Sequence, residues 1–191
     1  MGLDDATPML VDSGGLKRVR GVDVAISALG HLPGVHLAVV CIPDTRTPLV
    51  AELRAQAEEQ DVAYRVHFVD PVPSDDVVSF LRSADVGVQP MLGGIVNHEL
   101  ALPNKLFEYL HAGLPMVVAD PQELGRFVLE HGLGETFSSG NPVDLAASAQ
   151  KVLANPLPYR RAASDPALLA EHSWDHQAQV LFAAYDTIQR R

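Results

Sequence analysis

The sequence predicts an α/β fold, a doubly wound parallel sheet of about six strands with helices on both faces. Three observations carry this prediction. Short apolar runs alternate with helix-period segments along the whole chain, the pattern of successive strand–helix units. The clearest run, His36–Ile42 (HLAVVCI), is almost continuously apolar, as a strand covered on both faces must be. The chain has 191 residues, 47% hydrophobic and 20% charged. That is enough for one core without disulfides or metal, and cramped for two full domains.

Taken in order, residues 9–11 end a first strand, closed by the turn Asp12-Ser13-Gly14-Gly15. Residues 22–32 place Val22, Ala25, Ile26 and Leu29 on one helical face, and Pro33-Gly34 ends them. The strand 36–42 follows, then a helix at 48–60 with Leu49, Leu53 and Ala57 in register, and a third strand at 64–69. Ser74 caps the next helix, which carries Val77, Val78 and Leu81 on one side. Residues 85–89 (DVGVQ) are a fourth strand and 92–102 an irregular stretch. Pro103-Asn104 precedes a helix at 105–112, closed by Gly113 where a left-handed cap is favoured. A fifth strand (115–119), a helix (123–131) and a short sixth strand (135–137) come next. Asn141-Pro142 opens a helix through Leu153, the proline standing where its missing N–H costs little. The last helices occupy 157–171 and 174–190. With no repeat, low-complexity tract or linker, residues 1–191 read as a single domain with right-handed crossovers.

Composition removes several functions. The net charge is −10 with no lysine/arginine-rich run, which argues against nucleic acid bound through its phosphates. No apolar run approaches the ~18 residues of a membrane span, and the acidic residues 1–8 lack the apolar region of a signal peptide. The single cysteine, Cys41, excludes an internal disulfide, fits a reducing compartment, and lies in an apolar strand as an inert thiol would. None of the eight histidines has zinc spacing: His172 and His176 are four apart, but Ser173 between them reads as a helix cap. No metal and no cofactor are expected. The GxGxxG, GxxxxGK[ST] and GxSxG signatures are absent.

In a doubly wound sheet, ligands bind beyond the carboxyl ends of the strands. The first loop there, Gly14-Gly15-Leu16-Lys17-Arg18-Val19-Arg20-Gly21, sets flexible backbone and three cations before a helix N-terminus. Such a loop holds a diphosphate, or is simply a solvated turn. In the helix at 105–112, Lys105 and Glu108 are three apart near its entrance. The carboxylate suits two ribose hydroxyls, and the alternative is an ordinary surface ion pair. His98-Glu99, with Asn97 beside them, lie in the irregular loop after the fourth strand, a place for substrate contacts.

These motifs occur in one order: Gly21-Val22-Asp23, Arg65-Val66-His67-Phe68, ADVGVQP (84–90), PNKLFEYLHAGLPMVVAD (103–120), EHGLG (130–134) and NPVDLA (141–146). Together they resemble the C-terminal, nucleotide-sugar-binding domain of the group-1 (family 4) glycosyltransferases of GT-B fold, over nearly the whole chain. PNKLFEYLHAGLP is the most specific piece, and Ser173-Trp174-Asp175 resembles the start of the family's last helix, which crosses back to the other domain.

The resemblance implies a Rossmann-like donor domain with C-terminal helix 174–190, and an N-terminal acceptor domain that is absent or supplied by a partner subunit. It implies a retaining transferase that moves a glycosyl group from an NDP-sugar to an acceptor hydroxyl, without metal, the isolated half being inactive. It implies a cytoplasmic location, or the inner membrane surface where the full enzyme carries it. The implied diphosphate site comprises Gly14, Gly15, Lys17, Arg20, Asn104, Lys105 and Leu106. Glu108 would hold the ribose, and Asn97, His98 and Glu99 stand near the donor sugar. No catalytic residue is assigned. Departures are specific: Leu100, beside Glu99, occupies the position of a usual glutamate, Gly15 that of a usual basic residue, and Cys41-Ile42-Pro43 and Asp70 those of usual glycines. Two rival readings remain. A non-catalytic regulatory or scaffolding module that binds a nucleotide sugar is favoured by Gly15. A nucleotide-sugar epimerase would need an acid/base pair, and none is assigned.

Overall fold

The protein's structure is a computed structural model describing residues 3, 4, 6–120 and 122–189. Of the positions discussed above, Met1, Gly2 and Asp5 in the acidic start, Pro121 after the fifth strand and Arg190 at the end of the last helix lie outside the described residues.

Six parallel strands form one sheet in the order β3-β2-β1-β4-β5-β6. They are β1 (Met9–Gly15), β2 (His36–Ile42), β3 (Val66–Val69), β4 (Val86–Gln89), β5 (Met116–Ala119) and β6 (Gly134–Phe137). Alternate residues feed two separate cores. Leu10, Leu37, Val39, Val86, Val88, Val117 and Phe137 face one side, covered by α1 (Val22–Ala28), α2 (Pro48–Glu59) and α7 (Pro142–Ala154). Met9, Val11, Ala38, Met116 and Val118 face the other. There α3 (Val77–Leu81), α5 (Asn104–Ala112), α6 (Gln122–Glu130), α8 (Leu157–Ala163) and α9 (Pro166–Glu171) cover them. The short α4 (Val96–Leu100) and the terminal α10 (Trp174–Gln189) complete the chain. Two apolar faces explain why the strands read as continuous apolar runs. The sequence reversal falls between β1 and β4, the crevice where such sheets take their ligands.

Several element boundaries differ from expectation, among them the third strand, which starts at Val66 after a 3-10 turn at Ala63–Arg65, and the first helix, which ends at Ala28 before a 3-10 turn at Leu29–His31. β1 runs on through Gly15, because the supposed turn residues pair with β2 as far as Gly15 with Ile42. Ser74 does not cap α3, which starts at Val77; its hydroxyl donates to the Asp75 carboxylate instead (3.4 Å). The stretch 92–102 contains α4. The helix expected over 157–171 breaks into α8 and α9, because Pro166 cannot donate to the preceding turn and Asp165 caps a new start by accepting from the Ala167 N–H (2.8 Å). Ser173 does cap α10, accepting from the His176 N–H (3.2 Å).

Candidate functional site

The loops after β1 and β4 are locked together at the crevice. Gly21 has a left-handed φ of 71°, and a Cβ there would stand 1.9 Å from the Pro90 carbonyl oxygen, so only glycine fits. The Leu92 N–H donates to the Val19 carbonyl (3.1 Å), and the Arg20 guanidinium donates to the sulfur of buried Met91 (3.5 Å).

Helix α5 is fixed over the same crevice by Tyr109. Its ring lies on Gly87, where a Cβ would come within 2.6 Å of it. The phenol hydroxyl donates between the Val11 and Val88 carbonyls (3.1 Å each) and accepts from the Ser13 N–H (3.3 Å). One side chain thus ties α5 to β1 and β4 in a fully buried setting. The α5 N-terminus has no side-chain cap, which leaves its first amides and the positive end of the helix dipole facing the crevice.

Lys105 turns inward rather than toward Glu108. Its ammonium donates to the Asp12 carboxylate at 2.5 Å, with both side chains buried. Its Cε would sit 3.6 Å from a Cβ on Gly14, which itself has φ 123°. Burial pushes the Asp12 carboxyl above its usual range, while Lys105 and then Arg20 pull it back. The surface i,i+3 pair of Lys105 and Glu108 is therefore not formed. Glu108 is half-buried with no ion-pair partner among the described residues, and burial holds its carboxyl above the usual range against the pull of Lys105.

The structure accordingly gathers Gly14, Arg20, Lys105 and the α5 start, with Glu108 one turn along. Asn104 is exposed at that start, and Gly15 is exposed at the end of β1. Leu106 is a fully buried core residue, so only its backbone is available, and its N–H already donates to Pro103 (2.9 Å). Lys17 lines a separate groove of about 340 Å³ with Leu16, Arg18, Leu49 and Glu52, and Arg18 pairs with Glu52 there.

The three candidates on α4 fare differently. Asn97 is exposed. His98, expected in an open loop, is buried with Nδ1 against the Leu92 carbonyl (2.6 Å). Glu99 accepts from the Gly94 N–H (2.7 Å) and the Gln122 N–H (3.1 Å), bonds that hold its carboxyl below the usual range. Glu99 thus braces the loop after β4 against α6, and Ser139 adds a second brace by accepting from the Gly93 N–H (2.7 Å).

Asp12, Gln89 and Tyr109 escaped the sequence reading. Asp12 and Gln89 left a trace: each is a polar residue at the carboxyl end of an apolar strand run. Gln89 is 1% exposed, and neither amide atom has a hydrogen-bond partner among the described residues. Cys41 is the inert core thiol expected, buried, its thiol pushed up to about 11 chiefly by burial. Among the described residues no group of three or more His, Cys, Asp or Glu could hold a metal ion, and no helix is long and apolar enough to cross a membrane.

Comparison with known proteins gives one consistent picture. The sequence profile described as Glycosyl transferases group 1 matches residues 7–155. A D-inositol 3-phosphate glycosyltransferase of Mycolicibacterium gilvum is 28% identical over 97% of this chain and 40% of its own length. Among solved structures, sucrose-phosphate synthase from Thermosynechococcus elongatus superposes with a TM-score of 0.81 at 21% identity, over 98% of this chain and 47% of the other. Anabaena Alr3699/HepE in complex with UDP gives 0.78 at 18% identity, over 98% of this chain and 50% of the other. The chain thus spans half or less of the length of each of these three proteins. The profile covers most of the six-stranded sheet and its crevice, and the chain belongs to the group 1 glycosyl transferases.

Proposed function

We propose that this chain is the donor-nucleotide half of a retaining glycosyltransferase, taking an NDP-sugar whose glycosyl group passes to an acceptor hydroxyl. The observation that carries the reading is the uncapped start of α5, set beside Arg20 and the β1 glycines, with Glu108 four residues further along. That spacing is about 6 Å along a helix axis. It suits a diphosphate on the amides and a ribose on the carboxylate, whose two oxygens accept from two hydroxyls.

In this reading the protein binds and positions, and stabilises the leaving diphosphate as its charge grows. Preorganised amides and the dipole of α5 do most of this. Arg20 supplies the net cationic charge, because Asp12 neutralises Lys105. Lys105 then acts as a structural strut that fixes the α5 start over β1. Glu108 orients the nucleotide and moves no proton.

The acceptor-binding part lies, on this proposal, in the length the relatives have beyond this chain. Helix α10 supports it: Trp174, Leu181, Tyr185 and Ile188 share one face and are 85%, 55%, 57% and 69% exposed. A covering half would bury them. A reducing, cytoplasmic setting fits the single buried thiol.

The test is glycosyl transfer from an NDP-sugar panel to candidate acceptors, with and without a candidate N-terminal half. Transfer only on mixing is the expected result, since donor and acceptor must be held in reacting geometry together. Transfer by this chain alone contradicts the half-enzyme reading. Nucleotide binding with no transfer in any combination favours the non-catalytic module, the reading that Gly15 in place of a cation supports.

A further inference from the structure

Gln89 ends β4, and its primary amide is the one fully sealed polar group among the described residues whose side chain has no partner at all. Three other buried polar side chains around the crevice are engaged: Asp12 with Lys105, Tyr109 with the Ser13 N–H and two carbonyls, His98 with Leu92. Alternation along β4 puts Gln89 on the face of Gly87, the face α5 covers. It directly precedes Pro90, which meets Gly21, and Met91, which carries Arg20. The amide therefore lies sealed beneath the carboxyl end of β4, next to the loop that meets Gly21 and Arg20.

Packing does not call for a glutamine here. The buried residues on this face include Met91, Leu106 and Val118, all apolar, and leucine has a similar size. A sealed amide without a partner is destabilising relative to such a residue. The chemistry of the partner follows from the two atoms left over. The N–H needs an acceptor and the carbonyl needs a donor. An ionised phosphate supplies acceptors alone, and an ammonium or guanidinium supplies donors alone. A hydroxyl supplies both.

We propose that Gln89 is a specificity-determining residue that reads a hydroxyl of the donor's sugar, reached when the loop after β4 or the α5 start shifts on binding. This rests on the donor-site reading above. A residue kept for a ligand rather than for the fold has a distinctive signature: its apolar replacement makes the protein more stable and binding worse.

The experiment uses the full chain and its Gln89→Leu variant, with Gln89→Met as a second replacement. Thermal unfolding is measured together with calorimetric titration of UDP, GDP, UDP-glucose and GDP-mannose. The expected result is a melting temperature raised by about 2–4 °C. Affinity for the sugar nucleotide that the unmodified chain prefers falls about tenfold or more, while affinity for its parent nucleoside diphosphate is unchanged. Sugar-nucleotide affinity unchanged in the variants overturns the proposal. So does an equal loss for both ligand types, which marks a contact to the nucleotide they share, and so does a lowered melting temperature or failure of both variants to fold, which marks a structural amide. An unmodified chain that binds the diphosphates but gains nothing from the sugar overturns this proposal alone. One that binds none of the four probes overturns the donor-site reading as well.

Discussion

Helix α5 buries Lys105, Leu106, Tyr109, Leu110 and Ala112 against the sheet, whereas α10, sixteen residues long, buries none of its described side chains. Both carry an apolar stripe at helical spacing, so their sequences alone promise the same thing. The difference lies in what each stripe meets. The α5 stripe lands on β1, β4 and β5, and even its lysine is drawn in to meet Asp12. The α10 stripe touches little beyond α9. Local pattern makes a helix, and only tertiary burial makes it contribute to stability.

The sharpest way to break this comparison is the same deletion at both helices. Tyr109→Ala removes a buried ring and leaves the Ser13 N–H and two carbonyls without their partner, and should cost about 3–5 kcal/mol in chemical denaturation. Tyr185→Ala should stay within about 0.5 kcal/mol. A large cost at Tyr185 would mean that α10 is packed against the body.

The Asp12–Lys105 pair gives the next largest effect. Lys105→Met strands a buried carboxylate and should cost about 3 kcal/mol, and the double variant Asp12→Leu/Lys105→Met should recover most of it. Additive costs in the same denaturation experiments would show that the two charges do not depend on each other.

Glu108 sharpens the comparison on the binding side. Glu108→Gln should weaken nucleoside diphosphate binding by about 1–3 kcal/mol. Burial raises this carboxyl, so two opposite pH slopes are expected. The native state holds the proton more tightly than the unfolded chain does. The stability contribution is therefore full below the unfolded value and lost as pH rises through the folded one. Nucleotide affinity runs the other way, falling as acidification protonates the acceptor, and starting above the usual carboxylate range. Titrations across pH should show a steeper acid limb in the native chain than in Glu108→Gln, where only protonation of the ligand's own phosphate remains.

The smallest effect concerns the junction before α10. His172 lies against Phe107 and His111 of α5, Phe127 of α6 and His131 just after it, and its carbonyl accepts from the His111 Nε2 (3.1 Å). Burial lowers its imidazole below the usual range; Glu171 opposes this, and His131, His111 and His176 add to it. Its stability contribution is present above the unfolded value and is lost as pH falls through the folded one. Fluorescence of Trp174, the single tryptophan, should report a slightly looser junction on acidification from about pH 7 to 5, with a flatter response in His172→Gln.

The fold was legible because its signals are local and repeated. Continuous apolar runs such as HLAVVCI and helix stops such as Gly113 each have one economical explanation, and their alternation points to a parallel sheet but leaves its strand order open. The glycine–cation loop and Glu108 stood out as candidates for the same reason, as short segments. What escaped needed partners distant in sequence. Asp12 meets Lys105 across 93 positions, and Tyr109 meets the Val11 carbonyl across 98. No spacing rule shows that a lysine at a helix entrance will turn inward to a strand. Glu99 was read as a donor-sugar contact, and its two N–H partners appear only once α4 and α6 are side by side.

Whether the carboxyl edge of β1 and the start of α5 receive the nucleotide is decided by amide chemical-shift mapping of the full chain on titration with UDP and GDP. Shifts concentrated at Gly14, Gly15, Asn104, Lys105, Leu106 and Glu108 are expected with at least one of the two, and none along residues 174–189. Shifts centred on the opposite edge of the sheet, around the stacked rings of His36 and His67, or no shifts with either nucleotide, would contradict this placement.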